Sequence, residues 1–194
     1  MSRIAVLYED QLQPGTEPRD FGPHQLLVSC LHDEGLADQT TLFQGRPQIL
    51  QRLHPFVVKG NGNLKRTCQA PDRALQSFAQ RVAIFDSDRL RQLLGAAYPA
   101  PACTLAIRRA LGEPQSPDGV RAGAPHVVLL VDNVESLLRA CDAQWSGKPT
   151  PLERDRLLRP CWTTSDRSLR DTLRQRVPSW DYLVRHVAGL LRRS

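Results

Sequence analysis

Two short apolar segments of the chain end abruptly in carboxylates, and this feature constrains the fold most. Residues 4–8 are followed by Glu9, and residues 82–85 are followed by Asp86 and Asp88. Short, fully apolar runs of this kind are typical of strands that are buried on both faces of a parallel sheet. Ligands of such sheets bind outside the carboxyl ends of the strands, so the acids stand where a functional site is expected.

Segments with helical spacing of leucines alternate with these strands. The alternation predicts an α/β domain with a mostly parallel sheet flanked by helices, which is a Rossmann-like architecture. We expect residues 1–145 to contain the sheet and residues 146–194 to form a helical extension that packs on the same domain. Further strands are expected at residues 55–59 and 127–131, and helices at residues 24–32, from about Leu64 onward, and at 133–141.

Composition excludes several classes of protein. The chain has 194 residues, 41% of them hydrophobic, which is enough for a sizeable core. No run approaches the roughly 18 apolar residues of a membrane span, and the first residues lack the plan of a signal peptide, so we expect a cytoplasmic protein without a membrane partner. The five cysteines are scattered without a close pair, and we expect reduced, mostly buried thiols.

The formal charge of +6 is compatible with a polyanionic partner, because phosphate contacts favour basic surfaces. Much of the excess lies late in the chain, where helical spacing of the arginines could equally produce a solvated face. Both interpretations stay open. The residues concerned are Arg167, Arg170, Arg174, Arg176, Arg185, Arg192 and Arg193.

Glu9, Asp86 and Asp88 form the strongest candidate site. Alternate residues of an extended segment project to the same side, so both aspartates could face one ion. Three converging carboxylates repel one another, and a hard divalent cation such as Mg²⁺ or Mn²⁺ relieves that repulsion. Such an ion can orient a phosphodiester and activate water. The competing interpretation of the two aspartates is that they cap the following helix.

Two further acids are candidate ligands of the same ion. Asp132 follows the fourth predicted strand, and Glu135 lies near the start of the helix after it. Glu135 either completes the metal site or is an acid stabilised by the helix dipole. The histidines lack the spacing of a zinc site, and no GxSxG turn supports a serine hydrolase.

The segment that begins at Lys59 is a candidate phosphate-binding loop. Exposed glycine amides and a following helix N-terminus favour anions, and Lys59, Lys65 and Arg66 add positive charge. Asn61 and Asn63 supply further hydrogen-bonding groups. The spacing is not that of a Walker A loop, and a plain flexible turn is the alternative interpretation.

The order of these motifs resembles the Toprim family, the fold shared by type IA and II topoisomerases, bacterial primases and overcoming-lysogenization-defect (OLD) nucleases. That family places a glutamate after its first strand and a DxD after its third, as Glu9, Asp86 and Asp88 stand here. The chain is most similar to small stand-alone Toprim-like proteins of prokaryotes that occur beside ABC- or OLD-type ATPases. Residues 59–65, 133–142 and 178–183 carry the rest of the resemblance.

The resemblance implies a Toprim-like fold for residues 1–145 and a Mg²⁺-dependent nuclease, or other phosphodiester-processing effector, that works with an ATPase in defence against foreign DNA. Glu9 then serves as general base or metal ligand, and Asp86 and Asp88 hold the ion. Nucleic acid, with DNA as the expected polymer, and an ATPase subunit are the implied partners. Asp10 departs from the family, which often has glycine there, and this favours the alternative of a non-catalytic regulatory or assembly subunit.

Overall fold

One parallel sheet organises the computed structural model, which describes residues 3–12, 14–37, 41–86, 125–130, 133–142 and 144–193. Within that part of the chain the sheet has four strands in the order β2-β1-β3-β4. The strands are β1 (Ile4–Glu9), β2 (Leu53–Val58), β3 (Gln80–Asp86) and β4 (His126–Leu130). The prediction of an α/β domain with a parallel sheet flanked by helices is confirmed.

Strand β1 is fully apolar because it lies in the middle of the sheet with both faces covered. Val6 is in register with Pro55 of β2 on one side and with Val82 of β3 on the other. Side chains of a strand alternate between faces. Ile4, Val6 and Tyr8 accordingly join a larger core, whereas Ala5 and Leu7 join a smaller one. Pro55 is tolerated because β2 is an edge strand of the described sheet.

Most of the described helices cover the face of the sheet that carries the larger core. Helices α3 and α4 supply Leu64 and Leu75 to the smaller core on the opposite face. The helices are α1 (Gly22–Asp33), α2 (Leu42–Arg52), α3 (Asn61–Gln69), α4 (Arg73–Gln76), α5 (Asn133–Cys141), α6 (Pro151–Thr163), α7 (Ser168–Arg176) and α8 (Pro178–Arg192).

Buried ion pairs hold the late helices against α1. The guanidinium of Arg170 is 1% exposed and donates from Nε and Nη2 to the two carboxylate oxygens of Asp33, at 2.5 and 3.1 Å. Arg174 donates to Glu34 and to Asp181, at 2.7 and 2.6 Å. The interpretation of this arginine-rich stretch as a solvated face is therefore wrong for Arg170 and Arg174, because both are buried in ion pairs with Asp33 and Glu34 at the end of α1.

Helix α2 was not predicted from the sequence. Pro47 lies inside it, and among its described residues only Leu42, Gly45 and Ile49 are buried, so its apolar stripe is narrow. Helix α3 begins one turn earlier than the predicted start near Leu64. Among the described residues, no helix is both long and apolar enough to cross a bilayer.

Candidate functional site

A pocket of about 480 Å³ opens at the carboxyl ends of β1 and β2, where parallel sheets usually bind their ligands. Four stretches that are far apart in sequence meet there: the end of β1, the end of β2, the first turn of α5, and the segment that enters α6. The residues that line it are Glu9, Asp10, Gln11, Lys59, Gly60, Val134, Glu135, Lys148, Pro149, Pro151 and Arg154.

Three of the residues singled out from the sequence lie together in this pocket. Glu9 is the last residue of β1 and is half-buried. Lys59 directly follows β2 and is exposed, and Glu135 lies half-buried in the first turn of α5. Glu135 thus stands both at a helix N-terminus and in the pocket, so the two interpretations of this residue are compatible with each other.

Other predicted site residues are placed elsewhere or cannot be placed. Asp86 is the last residue of β3, opposite Leu130 of β4, but its side chain lies outside the described residues. Asp88 and Asp132 also lie outside the described residues, as do the side chains of Asn61 and Lys65. Their predicted roles therefore stay predictions.

The expected phosphate loop is mostly helix. Gly60 adopts a left-handed φ of 84°, and its carbonyl accepts hydrogen bonds from the amides of Asn63 and Leu64, both at 3.0 Å, so α3 begins at once. The side chain of Asn63 donates to the carbonyl of Lys59 at 2.8 Å and accepts from Arg66 at 2.5 Å. Asn63 and Arg66 are exposed on α3 and do not line the pocket, whereas Lys59 and Gly60 do.

Asp10 and Arg154 form a largely buried ion pair at the back of the pocket, which the sequence did not predict. Arg154 Nη1 lies 2.7 Å from Asp10 Oδ1, and the two side chains are 3% and 19% exposed. The same nitrogen donates to the carbonyl of Gln11 at 3.1 Å, and Nε donates to Asp155 at 2.9 Å. The guanidinium also stacks on the Phe21 ring, with its carbon 4.5 Å from the ring centroid.

The pKa of Asp10 reflects the conflict between burial and this pairing. Burial raises the pKa of the Asp10 carboxyl, and the Arg154 guanidinium and the amide of Gln11 oppose that rise without cancelling it. The amide of Gln11 donates to Asp10 Oδ1 at 2.6 Å, and the amide of Asp10 donates to the Val58 carbonyl at 3.2 Å. Asp10 is therefore held on all sides and fixes the turn after β1.

One nitrogen of Arg154 has spare hydrogen-bonding capacity. Its Nη2 is buried and has no hydrogen-bond partner among the described residues. A buried guanidinium N–H that lacks an acceptor is costly, and an anion or a water in the pocket that Arg154 lines would satisfy it. Either group would complete the hydrogen bonding of the Arg154 guanidinium.

The segment that leads into α6 contributes Lys148 and Arg154 to the pocket. A capping box marks the start of the helix. Thr150 and Glu153 form a capping box, in which Thr150 Oγ1 accepts from the Glu153 amide at 3.2 Å and Glu153 Oε2 accepts from the Thr150 amide at 2.9 Å. The Thr-x-x-Glu pattern predicts this helix start. Lys148 lies just before it and Arg154 one turn inside, yet nothing in the local sequence indicates that they meet β1.

The described residues that line the pocket carry equal numbers of acidic and basic side chains. The acids are Glu9, Asp10 and Glu135, and the cations are Lys59, Lys148 and Arg154. A phosphodiester gains little from lining charges that sum to zero. A divalent cation on the carboxylates would make the pocket positive.

Glu9 and Glu135 suit Mg²⁺ or Mn²⁺, because hard cations prefer carboxylate oxygens, and Mg²⁺ often takes only one or two carboxylates together with water and phosphate oxygens. In the described part of the chain no group of three or more His, Cys, Asp or Glu side chains could hold a metal ion. Among the described residues, Glu9 and Glu135 are the carboxylates that line this pocket in addition to Asp10, which pairs with Arg154.

His24 is the histidine closest in sequence to Glu9 and Asp10, but it belongs to the core and does not line the pocket. It is fully buried, and its Nδ1 shares a 3.1 Å hydrogen bond with the hydroxyl of Tyr8. Burial raises the pKa of the Tyr8 hydroxyl well above its usual range. Burial, reinforced by His54, Arg19 and Arg46, lowers the pKa of His24 to about 3. The ring stays neutral and anchors α1 to β1.

Comparison of the chain with protein-family models, with curated proteins and with solved structures gives no match.

Proposed function

We propose that the chain is a Mg²⁺-dependent nuclease, or another phosphodiester-processing effector, that acts on nucleic acid together with a partner ATPase. The observation that carries the proposal is the pocket at the strand ends, which Glu9, Glu135, Lys59 and Lys148 line together. Carboxylates that hold a hard cation beside lysines that bind phosphate oxygens are the parts that phosphodiester hydrolysis needs. The Toprim-like resemblance of the sequence supports the same reading.

Each group has a defined task in this proposal. Glu9 and Glu135 would hold the ion, which when bound neutralises charge on the phosphate and lowers the pKa of water. Lys59 and Lys148 bind the phosphate oxygens and orient the backbone of the nucleic acid. Arg154 positions the turn after β1 through its ion pair with Asp10.

The test is cleavage of plasmid DNA, linear DNA and RNA in Mg²⁺ or Mn²⁺ by the wild type, Glu9→Gln and Glu135→Gln. We expect metal-dependent cutting that falls about 100-fold or more in Glu9→Gln, because the amide neither carries the charge nor takes up a proton. Asp171→Asn is the matched control, since Asp171 is a half-buried acid of α7 that pairs with Arg167 and does not line this pocket.

Binding of the metal is measured separately from cleavage. Titration calorimetry with Mn²⁺ should give a site in the wild type that both glutamine variants weaken and that Asp171→Asn retains. Metal binding without cutting on any substrate would reject the nuclease, and equal Mn²⁺ binding by wild type and variants would reject the pocket as the metal site. Circular dichroism and urea midpoints establish that each variant is folded.

A second candidate function is a non-catalytic regulatory or assembly subunit of an ATPase complex. The specific observation in its favour is that Asp10, which stands where the family often has glycine, is tied down by Arg154. A side chain fixed at this turn limits how closely a phosphate approaches the backbone. Asp10→Gly separates the two candidates, because a nuclease hindered by Asp10 should cut faster, whereas a regulatory subunit should cut with neither residue.

The ATPase partnership and the role in defence against foreign DNA rest on the resemblance of the sequence. They are tested by measuring ATP hydrolysis and DNA cleavage by an ABC- or OLD-type ATPase encoded beside the gene, with and without this chain. Unchanged ATP hydrolysis and unchanged cleavage would remove the partner from the proposal while leaving the pocket chemistry open to the tests above.

A further inference from the structure

Two cysteines from different helices lie in direct contact. The Sγ atoms of Cys141, at the end of α5, and Cys161, near the end of α6, are 2.8 Å apart. Cys161 is 2% exposed, whereas Cys141 is half-buried and open to small reagents. We propose that this pair is a reversible dithiol–disulfide modification site that covalently joins α5 to α6 when it is oxidised.

The geometry requires little movement for the bond to form. A disulfide has a sulfur–sulfur length of about 2.05 Å. The two sulfurs therefore need to approach by less than about 1 Å, starting from a separation of 2.8 Å. Helices α5 and α6 already pack on one another, so that rotation of the side chains suffices.

The protonation of the pair also suits thiol chemistry. The hydrogen bond from Cys141 lowers the pKa of the Cys161 thiol, and the Arg170 guanidinium contributes, although burial opposes both. The same hydrogen bond raises the pKa of Cys141, and burial adds to this rise. Thiolate character, which makes a cysteine nucleophilic, is therefore favoured on Cys161 over Cys141.

The proposed oxidant is a small peroxide. A thiolate of the pair attacks hydrogen peroxide, breaks its O–O bond and becomes a sulfenic acid with release of hydroxide. The second sulfur then attacks the sulfenic sulfur, forms the S–S bond and expels water. Two thiols and one hydrogen peroxide give one disulfide and two waters, and a dithiol reductant returns the electrons and protons.

The two other described cysteines, Cys30 and Cys68, have different surroundings. Cys30 is fully buried, and burial raises its pKa to about 12, so that it is an inert thiol. Cys68 is half-buried on α3, on the opposite face of the sheet, beside the smaller core. Cys68 is therefore the matched control for chemistry at a half-buried cysteine.

The Cys141–Cys161 disulfide would affect the shape of the pocket, although neither cysteine lines it. Helix α5 carries Glu135 and helix α6 carries Arg154, and both residues line the pocket. Oxidation at the far ends of these helices would fix their relative position and thereby restrict the wall of the pocket. The proposal concerns the cysteines alone and does not depend on the activity of the pocket.

The experiment counts and maps thiols in the full chain. Reduced protein is treated with a small excess of hydrogen peroxide, denatured, alkylated and weighed by mass spectrometry. The five cysteines of the reduced chain take five alkyl groups, and we expect the oxidised monomer to take three. Because Pro149 and Pro160 block tryptic cleavage after the preceding residues, the bond should join peptide 140–154 to peptide 157–167.

Variants and reductant complete the test. Cys141→Ser and Cys161→Ser should each abolish the cross-linked peptide, Cys68→Ser should retain it, and dithiothreitol should restore all five thiols. Five alkyl groups after peroxide treatment, a bond that maps to another pair including one with Cys103, or a bond between two chains would each overturn the proposal. The peptide map of the wild type decides the question even where a serine variant fails to fold.

Discussion

Replacing Arg154 with methionine should be strongly destabilising, because it leaves Asp10 buried without its counter-ion. Removing one partner of a buried ion pair typically costs about 3–5 kcal/mol. Asp10 keeps 19% of its side chain exposed, so water recovers part of that cost. We therefore expect a loss near the lower limit, about 3 kcal/mol, of which contact with the Phe21 ring contributes about 0.5–1 kcal/mol.

A double-mutant cycle isolates the ion pair from other effects of the substitution. Asp10→Asn alone should cost about 1.5 kcal/mol, because Arg154 then retains Asp155 and the Gln11 carbonyl. In the double variant the buried carboxylate is gone, so the two losses should not add, and the coupling should be about 1–2 kcal/mol. Arg156→Met, an exposed arginine in the same helix, should stay within about 0.5 kcal/mol of wild type.

The cost of Arg154→Met should also depend on pH with a defined sign. Without Arg154, the effect of burial on the pKa of Asp10 is less opposed, so this pKa rises further. Above about pH 4, Asp10 of the folded variant therefore keeps a proton that the unfolded chain releases. The variant therefore loses stability as pH rises from about 4 through that raised pKa, and its deficit against wild type widens towards neutral pH.

Urea unfolding followed by circular dichroism measures each term, at about pH 4.5 and about pH 7. A loss below about 1 kcal/mol for Arg154→Met, or additivity of the two single variants, would refute the description of this ion pair as the link between β1 and α6. A deficit that narrows as pH rises would refute the assigned role of Asp10.

Further predictions concern the core and the helices. The wild type should lose stability as pH falls from about 6.5 towards about 3, because His24 takes up a proton in the unfolded chain but stays neutral in the folded one. In His24→Gln, the dependence of the unfolding free energy on pH should be smaller by about 1 kcal/mol per pH unit. Urea midpoints measured across this pH range test the difference. Gly45→Ala should cost about 1–3 kcal/mol, because the new methyl group meets the His32 ring and α2 cannot keep its contact with α1. Gly62→Ala, in a helical position with open space around it, should instead stabilise by about 0.5–1 kcal/mol, and thermal unfolding of both glycine variants checks the contrast in sign.

Local patterns predicted the elements of the sheet well, because a central parallel strand has an unmistakable composition. The apolar runs place β1, β3 and β4 within two residues of their observed bounds, and the bounds of α5 were predicted as they stand. Helix α2 escaped prediction because Pro47 and a narrow apolar stripe hide it. In α7 the apolar Leu169 is 43% exposed, because the neighbouring Arg170 takes the buried position.

The candidate site was predictable where strand ends determine it and not where distant segments meet. Glu9 was singled out because parallel strands bring their carboxyl ends to one edge, and Lys59 because it begins a glycine-containing basic segment before a helix. Arg154 and Lys148 were missed because their approach to β1 depends on how α6 packs on α1, which no local spacing encodes. The pairing of Cys141 with Cys161 escaped for the same reason.

The composition of the larger core has a consequence for synthesis on the ribosome. Its strand β1 comes from the first residues of the chain, whereas Val184, Val187 and Leu191 of α8 come from the last ones. Contacts over such separations form late, since the chain between them must first be ordered. The part of this core that α8 covers therefore stays exposed until α8 has emerged, and a nascent chain that pauses before α8 would be a client for chaperones and prone to aggregation.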